Sequence, residues 1–521
     1  MPTSKYKFLI VLILSGLILG SFLFTAVGAE EERYGSTLRV ALSGTPPSLD
    51  QQVITSDMAT MLAQHFFEGL YTFNAEYDPV PLLAKSSEVS NNGQQIDIQL
   101  REGVMFHNGK ELTSEDVVAS LKRWGEYGVR GPVLFEHVEE VVSLGDYEVR
   151  MTLTEPFAPW KSLLAFINGG PVIYPAEVAS EAGEEPIDTE DYIGTGPYKF
   201  VEHVSGRHYL VERFEDYSNL PGEPDGYAGN RKAYFDEIRF VPVDEPGTRV
   251  SGIKGNDYDY AINMPGDLYN QLDRDKQVRT LVNQGPKFGE LFFNSRKGIM
   301  TNQKLRQAAQ AAFDLEPSMR AAHGAEALWD LNGSIMPPNT VWYTEAGTEN
   351  YNQGDIEKAQ RLMEEAGYDG EPIRLMTTTS YMEMYNHCIV LATQLRKAGF
   401  NVDLQVYDWA TVTSRRTDPD AWDLFFTWHG FVPDPVLYTF MSPTYPGWWD
   451  TPEKEELVAE LTRTVDPEER QEIWSQLQEL LYEQVPIVKQ GDAYTYNIAS
   501  PDIEGLEDTS LIWPKFWGIW K

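Results

Sequence analysis

Apolar and polar residues alternate along "STLRVALSG" (36–44), "QQIDIQL" (94–100), "DYEVRMTL" (146–153) and "FDEIRFVPV" (235–243), the period-2 signature of strands with one buried face. Between them the spacing turns helical. "SDMATMLAQHFFEGLYTF" (56–73) predicts an amphipathic helix closing at Gly69 and running into a short strand. "LTSEDVVASLKRW" (112–124) predicts a helix opened by a Thr/Ser cap, and "PGTRVSGIKG" (246–255) another. "DYSNLPGEPDGYAGNRKAYFD" (216–236) reads as a long Gly/Pro-rich loop.

The second half changes texture. "NQKLRQAAQAAF" places Leu305, Ala308, Ala309, Ala312 and Phe313 on one helical face. "DIEKAQRLMEEAG" does the same with Ala359, Leu362, Met363 and Ala366, and Gly367 ends it. "PIRLMTT" (372–378) and "NVDLQVYDW" (401–409) read as strands around a helix over 385–399. "DLFFTW" (423–428) is nearly continuous and apolar, as expected of a strand covered on both faces. "DPEERQEIWSQLQELLYEQ" (466–484) begins with Asp466 as cap, Pro467 in the first turn and Glu469 closing a capping box. There is no internal repeat. The pattern predicts two α/β lobes, the first carrying extra antiparallel structure.

Length and composition fit this picture: 521 residues exceed one ordinary core, and 12% aromatic residues suffice to line a cleft. The net charge of -37 repels nucleic-acid phosphates and anionic head groups, so neither partner is expected. The acidity suits solubility, or life in high salt. A single cysteine, Cys388, excludes an intramolecular disulfide and zinc sites built from several cysteines; its helical face predicts a buried, inert thiol. Lys5 and Lys7 precede the apolar run 8–24, and Val27 and Ala29 hold the −3 and −1 positions of a cleavage site, the plan of a secretory signal over 1–29. An uncleaved anchor is the alternative. With no cysteine after the run, a lipoprotein is not expected, and the mature protein is placed in a periplasm.

Motifs of catalysis are missing. There is no G-x-S-x-G elbow, no G-x-x-x-x-G-K-[ST] loop and no H-E-x-x-H helix. "IGTGPYKF" (193–200) lacks the third dinucleotide-loop glycine. Pro197 stands where N–H groups would meet a phosphate, and Asp188, Glu190 and Asp191 crowd its approach. It reads as a backbone corner feeding the strand "YKFVEHV". His65 and Glu68, one turn apart, read as the end of a helix rather than metal ligands. No enzyme activity, cofactor or metal site is expected.

"REGVMFHNGKELTSEDVVASLKR" (101–123), "IGTGPYKF", "GNDYDYA" (255–261), "LFFN" (291–294) with "NQKLRQAAQAAFD" (302–314), "DIEKAQRLMEEAGY" (355–368), "PDP" (433–435) and "DPEERQEIWSQLQELLYEQVP" (466–486) follow one another in a fixed order. In that order they resemble the landmarks of the family 5 extracellular solute-binding proteins of ABC importers, the dipeptide, oligopeptide and nickel type. The resemblance implies an α/β, two-lobed periplasmic-binding-protein-like fold, type II, of the large class with an extra subdomain in lobe one. Lobe one would cover 30–288 with its inserted subdomain at about 66–190. The chain would cross near Gly289–Asn294, form lobe two over 289–486, and return to lobe one over 487–521. A small-molecule or peptide ligand would sit between the lobes, and the monomeric protein would deliver it to ABC permease subunits.

Dipeptide binders of this family hold the ligand ammonium with an Asp shortly before the "D-P" and its carboxylate with an Arg in a lobe-two loop. Here the first position is Phe431, and "MTTTSYMEMYN" (376–386) contains no Arg. A sugar ring or a quaternary amine is therefore an alternative ligand, stacked on aromatic residues. The candidate ligand-binding residues are Trp428, His429, Phe431, Asp434, Trp448, Trp449, Asn294 and Tyr381. Each has a structural alternative: the aromatics as lobe-two core, Asp434 as a turn residue, Asn294 as the cap of a strand end. Remoter alternatives are an exported hydrolase with a converged nucleophile–base pair, a sensor or chaperone using the fold, and a metal or haem ligand. If the signal is cleaved as read, the intact mass of the exported protein corresponds to a chain starting at Glu30; a full-length mass indicates the anchor.

Overall fold

Two long strands organise the molecule, Arg279–Phe293 and Ile487–Ala499, paired antiparallel along most of their length. They lie at the centre of a computed structural model that describes residues 33–506 and 511–521. The apolar run assigned to a signal lies outside the described residues. Arg279 faces Ala499 and Asn283 faces Thr495; the register then shifts, and Lys287 faces Ala493. Gln284, Gly285 and Pro286 stand opposite Tyr494 alone and form a bulge, which bends a strand and raises its local twist. Pro286 has no N–H to give to the ladder. A Cβ on Gly285 would lie 2.6 Å from the Ile512 Cα, so the C-terminal segment can press against the bulge only because glycine is there.

On one side of the bulge the sheet continues through Tyr260–Ala261, Thr37–Leu42, Glu237–Pro242, His208–Arg213 and Tyr198–Val204. On the other side it continues through Leu424–Gly430, Ile373–Thr378 and Val402–Tyr407. These are the two lobes, sharing the long strands. The resemblance put the crossing near Gly289–Asn294. The strand already begins at Arg279, and its lobe-two half is marked by a new neighbour, from Lys287 opposite Gly430 to Phe293 opposite Leu424.

In lobe two, Leu424, Phe425 and Phe426 are fully buried, Leu424 and Phe426 on one face of the sheet and Phe425 on the other against Phe292 and Trp422, as their unbroken apolar run predicts. Helix Met382–Ala398 turns Cys388, Leu391, Ala392 and Leu395 into that core. Burial pushes the Cys388 thiol up to about 12, which makes it inert at neutral pH. Helix Pro467–Gln484 starts where expected, the Asp466 carboxylate accepting from the Glu468 and Glu469 N–H groups.

Lobe one carries a separate antiparallel sheet in the order Ala84–Ser90, Gln95–Leu100, Glu148–Leu153, Val138–Gly145. Ile96, Ile98, Val149 and Met151 point inward, against a helix over Ser114–Tyr127 capped by Thr113, whose N–H donates to the Asp116 carboxylate.

The helix expected to run to Gly69 ends at Ala63. Beyond it the carbonyls of His65, Phe66 and Glu68 accept from Tyr198, Gly196 and Ile173, so tertiary bonds take the acceptors a longer helix would use. The donors at 196 and 198 belong to "IGTGPYKF". A Cβ on Gly194 would run into the Phe66 carbonyl oxygen, and one on Gly196 would lie 2.7 Å from that of His65. Thr195 between them donates to the buried Glu68 carboxylate at 2.8 Å, which also accepts from Arg231 at 3.0 Å and Tyr217 at 2.8 Å. The motif is a clamp on the end of a helix. Gly194→Ala should destabilise the protein by about 1–3 kcal/mol through overpacking, read as a lower urea midpoint at unchanged m-value.

Candidate functional site

Backbone pairing leaves a cavity of about 410 Å3 where the bulge meets both lobes. Lobe one contributes Asp57, Arg130 and Asn168; the bulge contributes Lys287; lobe two contributes Trp428 and Phe431. The volume lies at the lower end of the range of small-ligand pockets.

Its charged groups come from distant segments. Asp57 is the first residue of helix Asp57–Ala63, where a carboxylate complements the helix dipole, and it accepts from the Trp513 indole N–H at 3.0 Å. Arg130 donates its Nε to the Asn168 carbonyl at 2.8 Å, and its guanidinium lies 4.6 Å from the Phe166 ring centroid. Burial draws that guanidinium below its ordinary value, and the Asp57 carboxylate opposes the shift. The buried Asn168 amide donates to the Thr60 hydroxyl at 3.1 Å, fixing the loop that presents its carbonyl. The Lys287 ammonium sits 5.0 Å from the Trp428 ring centroid, a cation–π distance. The cavity thus presents one carboxylate and two cations around an aromatic wall.

Trp428 is braced from behind by the rings of His323 and His387, at 5.5 and 5.8 Å. Burial pushes His323 down to about 3 and His387 well below its ordinary value, so both are neutral supports at physiological pH. The Trp428 indole N–H is buried without a hydrogen-bond partner in the protein. Phe431 packs against Tyr77 of lobe one at 4.5 Å between ring centroids.

Of the residues singled out from sequence, the structure brings Trp428 and Phe431 together at this cavity. The others lie elsewhere. His429 follows Trp428 on the same strand and so points to the opposite face. There it pairs with buried Glu290, and its Nε2 lies 2.7 Å from the Thr439 hydroxyl. Asp434 is fully buried, accepting from the Val436 N–H at 3.2 Å and paired with Arg470 at 2.9 Å. Trp448 stacks on Trp422 at 5.5 Å, and Trp449 donates to Gln484 at 2.7 Å; both are buried in lobe two. Asn294 donates to the Pro419 and Trp422 carbonyls and accepts from the Arg296 and Lys297 N–H groups, a cap on the strand end. Tyr381 is exposed at the start of helix Met382–Ala398, edge-on to Trp409.

A nucleophile–base pair does exist: Ser318 Oγ lies 2.7 Å from His387 Nδ1. Ser318 is fully buried and donates onward to Gln490 at 3.1 Å, behind Trp428 and away from the cavity. It braces the wall. Among the described residues no three His, Cys, Asp or Glu side chains gather closely enough to hold a metal ion. Asp434→Ala would strand the Arg470 guanidinium in the core and should cost about 3–5 kcal/mol of stability, measured by equilibrium denaturation.

Residues 78–450 match the family described as bacterial extracellular solute-binding proteins, family 5, middle region. A probable peptide ABC transporter periplasmic-binding protein of Sinorhizobium fredii, y4tO, is 28% identical, with 95% of this chain and 94% of its own covered. Among solved structures, the ABC transporter-associated periplasmic binding protein DppA of Helicobacter pylori, in complex with the peptide STSA, superposes with a TM-score of 0.73. It is 20% identical and covers 94% of this chain and 99% of its own. The ABC transporter substrate-binding protein CtaP of Listeria monocytogenes gives a TM-score of 0.80 at 20% identity, over 94% of this chain and 99% of its own. These structures share the fold, and the family match spans most of the sequence: the chain belongs to family 5 of the bacterial extracellular solute-binding proteins.

Proposed function

We propose that this chain is the extracytoplasmic peptide-binding component of an ABC importer, acting as a monomer that hands its ligand to membrane permease subunits. The observation that carries the reading is the mixed charge of the interlobe cavity. A peptide needs a carboxylate for its ammonium and cations for its carboxylate and carbonyl oxygens; Asp57 offers the first, Arg130 and Lys287 the second. The charged anchors missing at Phe431 and in the loop 376–386 thus have counterparts on lobe one and the bulge. The peptide-transport relative in Sinorhizobium fredii and the peptide-bound Helicobacter pylori structure support the same ligand class. A neutral sugar ring would leave all the cavity's charges uncompensated, and a quaternary amine without a carboxylate would leave its two cations so, at a cost in affinity.

Binding is checked by thermal shift and titration calorimetry with di- and tripeptides beside oligosaccharides and betaines. A peptide at about 100 times its dissociation constant should add about 2.7 kcal/mol of stability. Arg130→Ala should weaken binding by about 2 kcal/mol, roughly thirtyfold. Stabilisation by sugars or betaines with none by peptides would overturn the reading.

A further inference from the structure

A second cavity, of about 1000 Å3, lies beyond Phe431. Its lobe-one wall is Trp160 and Lys161 together with the edge of the inserted sheet at Asn92 and Gly93; its lobe-two wall is Trp342 and Val465. It is not a gap between separated lobes, because contacts bound it at both ends. At one end Tyr77 meets Phe431. At the other the Ala158 N–H donates to the Thr462 carbonyl at 2.8 Å, bridging the lobes.

Phe431 lines the first cavity and Tyr77 the second, so one aromatic contact separates the two chambers. Tyr77 has a φ of 61° at the tip of the hairpin formed by Tyr71–Phe73 and Pro79–Pro81, a left-handed conformation that disfavours bulky residues. A turn alone would favour glycine or asparagine there. The tyrosine adds its ring against Phe431 and a hydroxyl that accepts from the Ile512 N–H at 2.9 Å.

Lys161 is the distinctive polar group of the second chamber. Its ammonium lies 5.4 Å from the Tyr71 ring centroid and 5.6 Å from that of Trp160. Burial lowers its pKa, and no neighbouring charge offsets the effect. The other charges of the chamber are committed or remote. Arg470 is paired with Asp434, Asp78 is bonded to Asn74 within the hairpin tip, and Glu468 is exposed in the first turn of its helix. Across the chamber Trp342 is held rigidly, its indole N–H donating to the Pro433 carbonyl at 3.1 Å.

We propose that this chamber is an extension subsite: it takes the far end of a peptide too long for the first cavity, with Lys161 receiving the terminal carboxylate and Trp160 and Trp342 receiving apolar side chains. The inference rests on the peptide reading above and adds ligand length and end-group chemistry to it. A chain leaving the first cavity beside Phe431 enters the second beside Tyr77. The chamber also gives the inserted sheet a role, since its edge forms part of the wall.

The test is calorimetric titration of the full chain with Ala-Phe, Ala-Ala-Ala-Ala-Phe and the C-terminal amide of that pentapeptide, on the unaltered protein and on Lys161→Met. The pentapeptide acid should bind at least tenfold more tightly than the dipeptide. Lys161→Met should weaken the acid about tenfold while leaving the amide and the dipeptide unchanged. Trp342→Leu should weaken both pentapeptides and spare the dipeptide. Equal losses for all ligands in Lys161→Met, or a pentapeptide that binds no better than the dipeptide, would overturn the subsite while the peptide reading stands. If no peptide of any length binds, the peptide reading falls and the subsite with it.

Discussion

The antiparallel pairing of Arg279–Phe293 with Ile487–Ala499 is the constraint on which the other features depend. Each lobe completes its sheet against one half of this ladder, so the relative placement of the lobes is set by backbone hydrogen bonds. The ladder shifts register between Phe288 and Glu290 and, more widely, at Gln284–Pro286. There the strand pair loses its regular partners, and there the sheet stops being core and becomes the floor of a cleft. Lys287 reaches the cavity because it is the first residue after the interruption. The same irregularity therefore provides the floor and one of the charges of the site.

The charge balance differs between surface and interior. The chain carries a net charge of -37, yet its interlobe cavities set Arg130, Lys287, Lys161 and Arg470 beside Asp57, Asp78 and Glu468. At physiological salt the surface field decays within about 8 Å, so the exterior charge does not decide what is held inside. Within the cleft, solvent is displaced and each ionic contact strengthens.

Much of the fold was legible because its signals are local. Strand alternation at 94–100 and 146–153, the Asp466 cap and the buried run 424–426 each depend on a few consecutive residues, and each forms as its pattern implies. The helix from Asp57 was read too long because the bonds that end it come from residues 173, 196 and 198, which no local pattern reveals. The site was less legible for the same reason. Asp57, Arg130 and Lys287 lie far apart in sequence and share no motif, and only the folded sheet brings them together. His429 was separated from Trp428 by strand alternation, a signal already present in the sequence: neighbours on a strand do not share a face. The aromatic run at Trp448 and Trp449 has the composition of a binding surface, and only burial reveals it as lobe-two core.

The lone cysteine has a practical consequence. Cys388 is fully enclosed by helix and sheet, and at neutral pH its sulfur is protonated and shielded from reagents. The folded protein therefore presents no competing thiol to a maleimide. A cysteine placed at the exposed Val465, on the rim of the larger chamber, would take a single fluorophore, and the dye would report occupancy of the cleft as a change in emission without first removing any native residue.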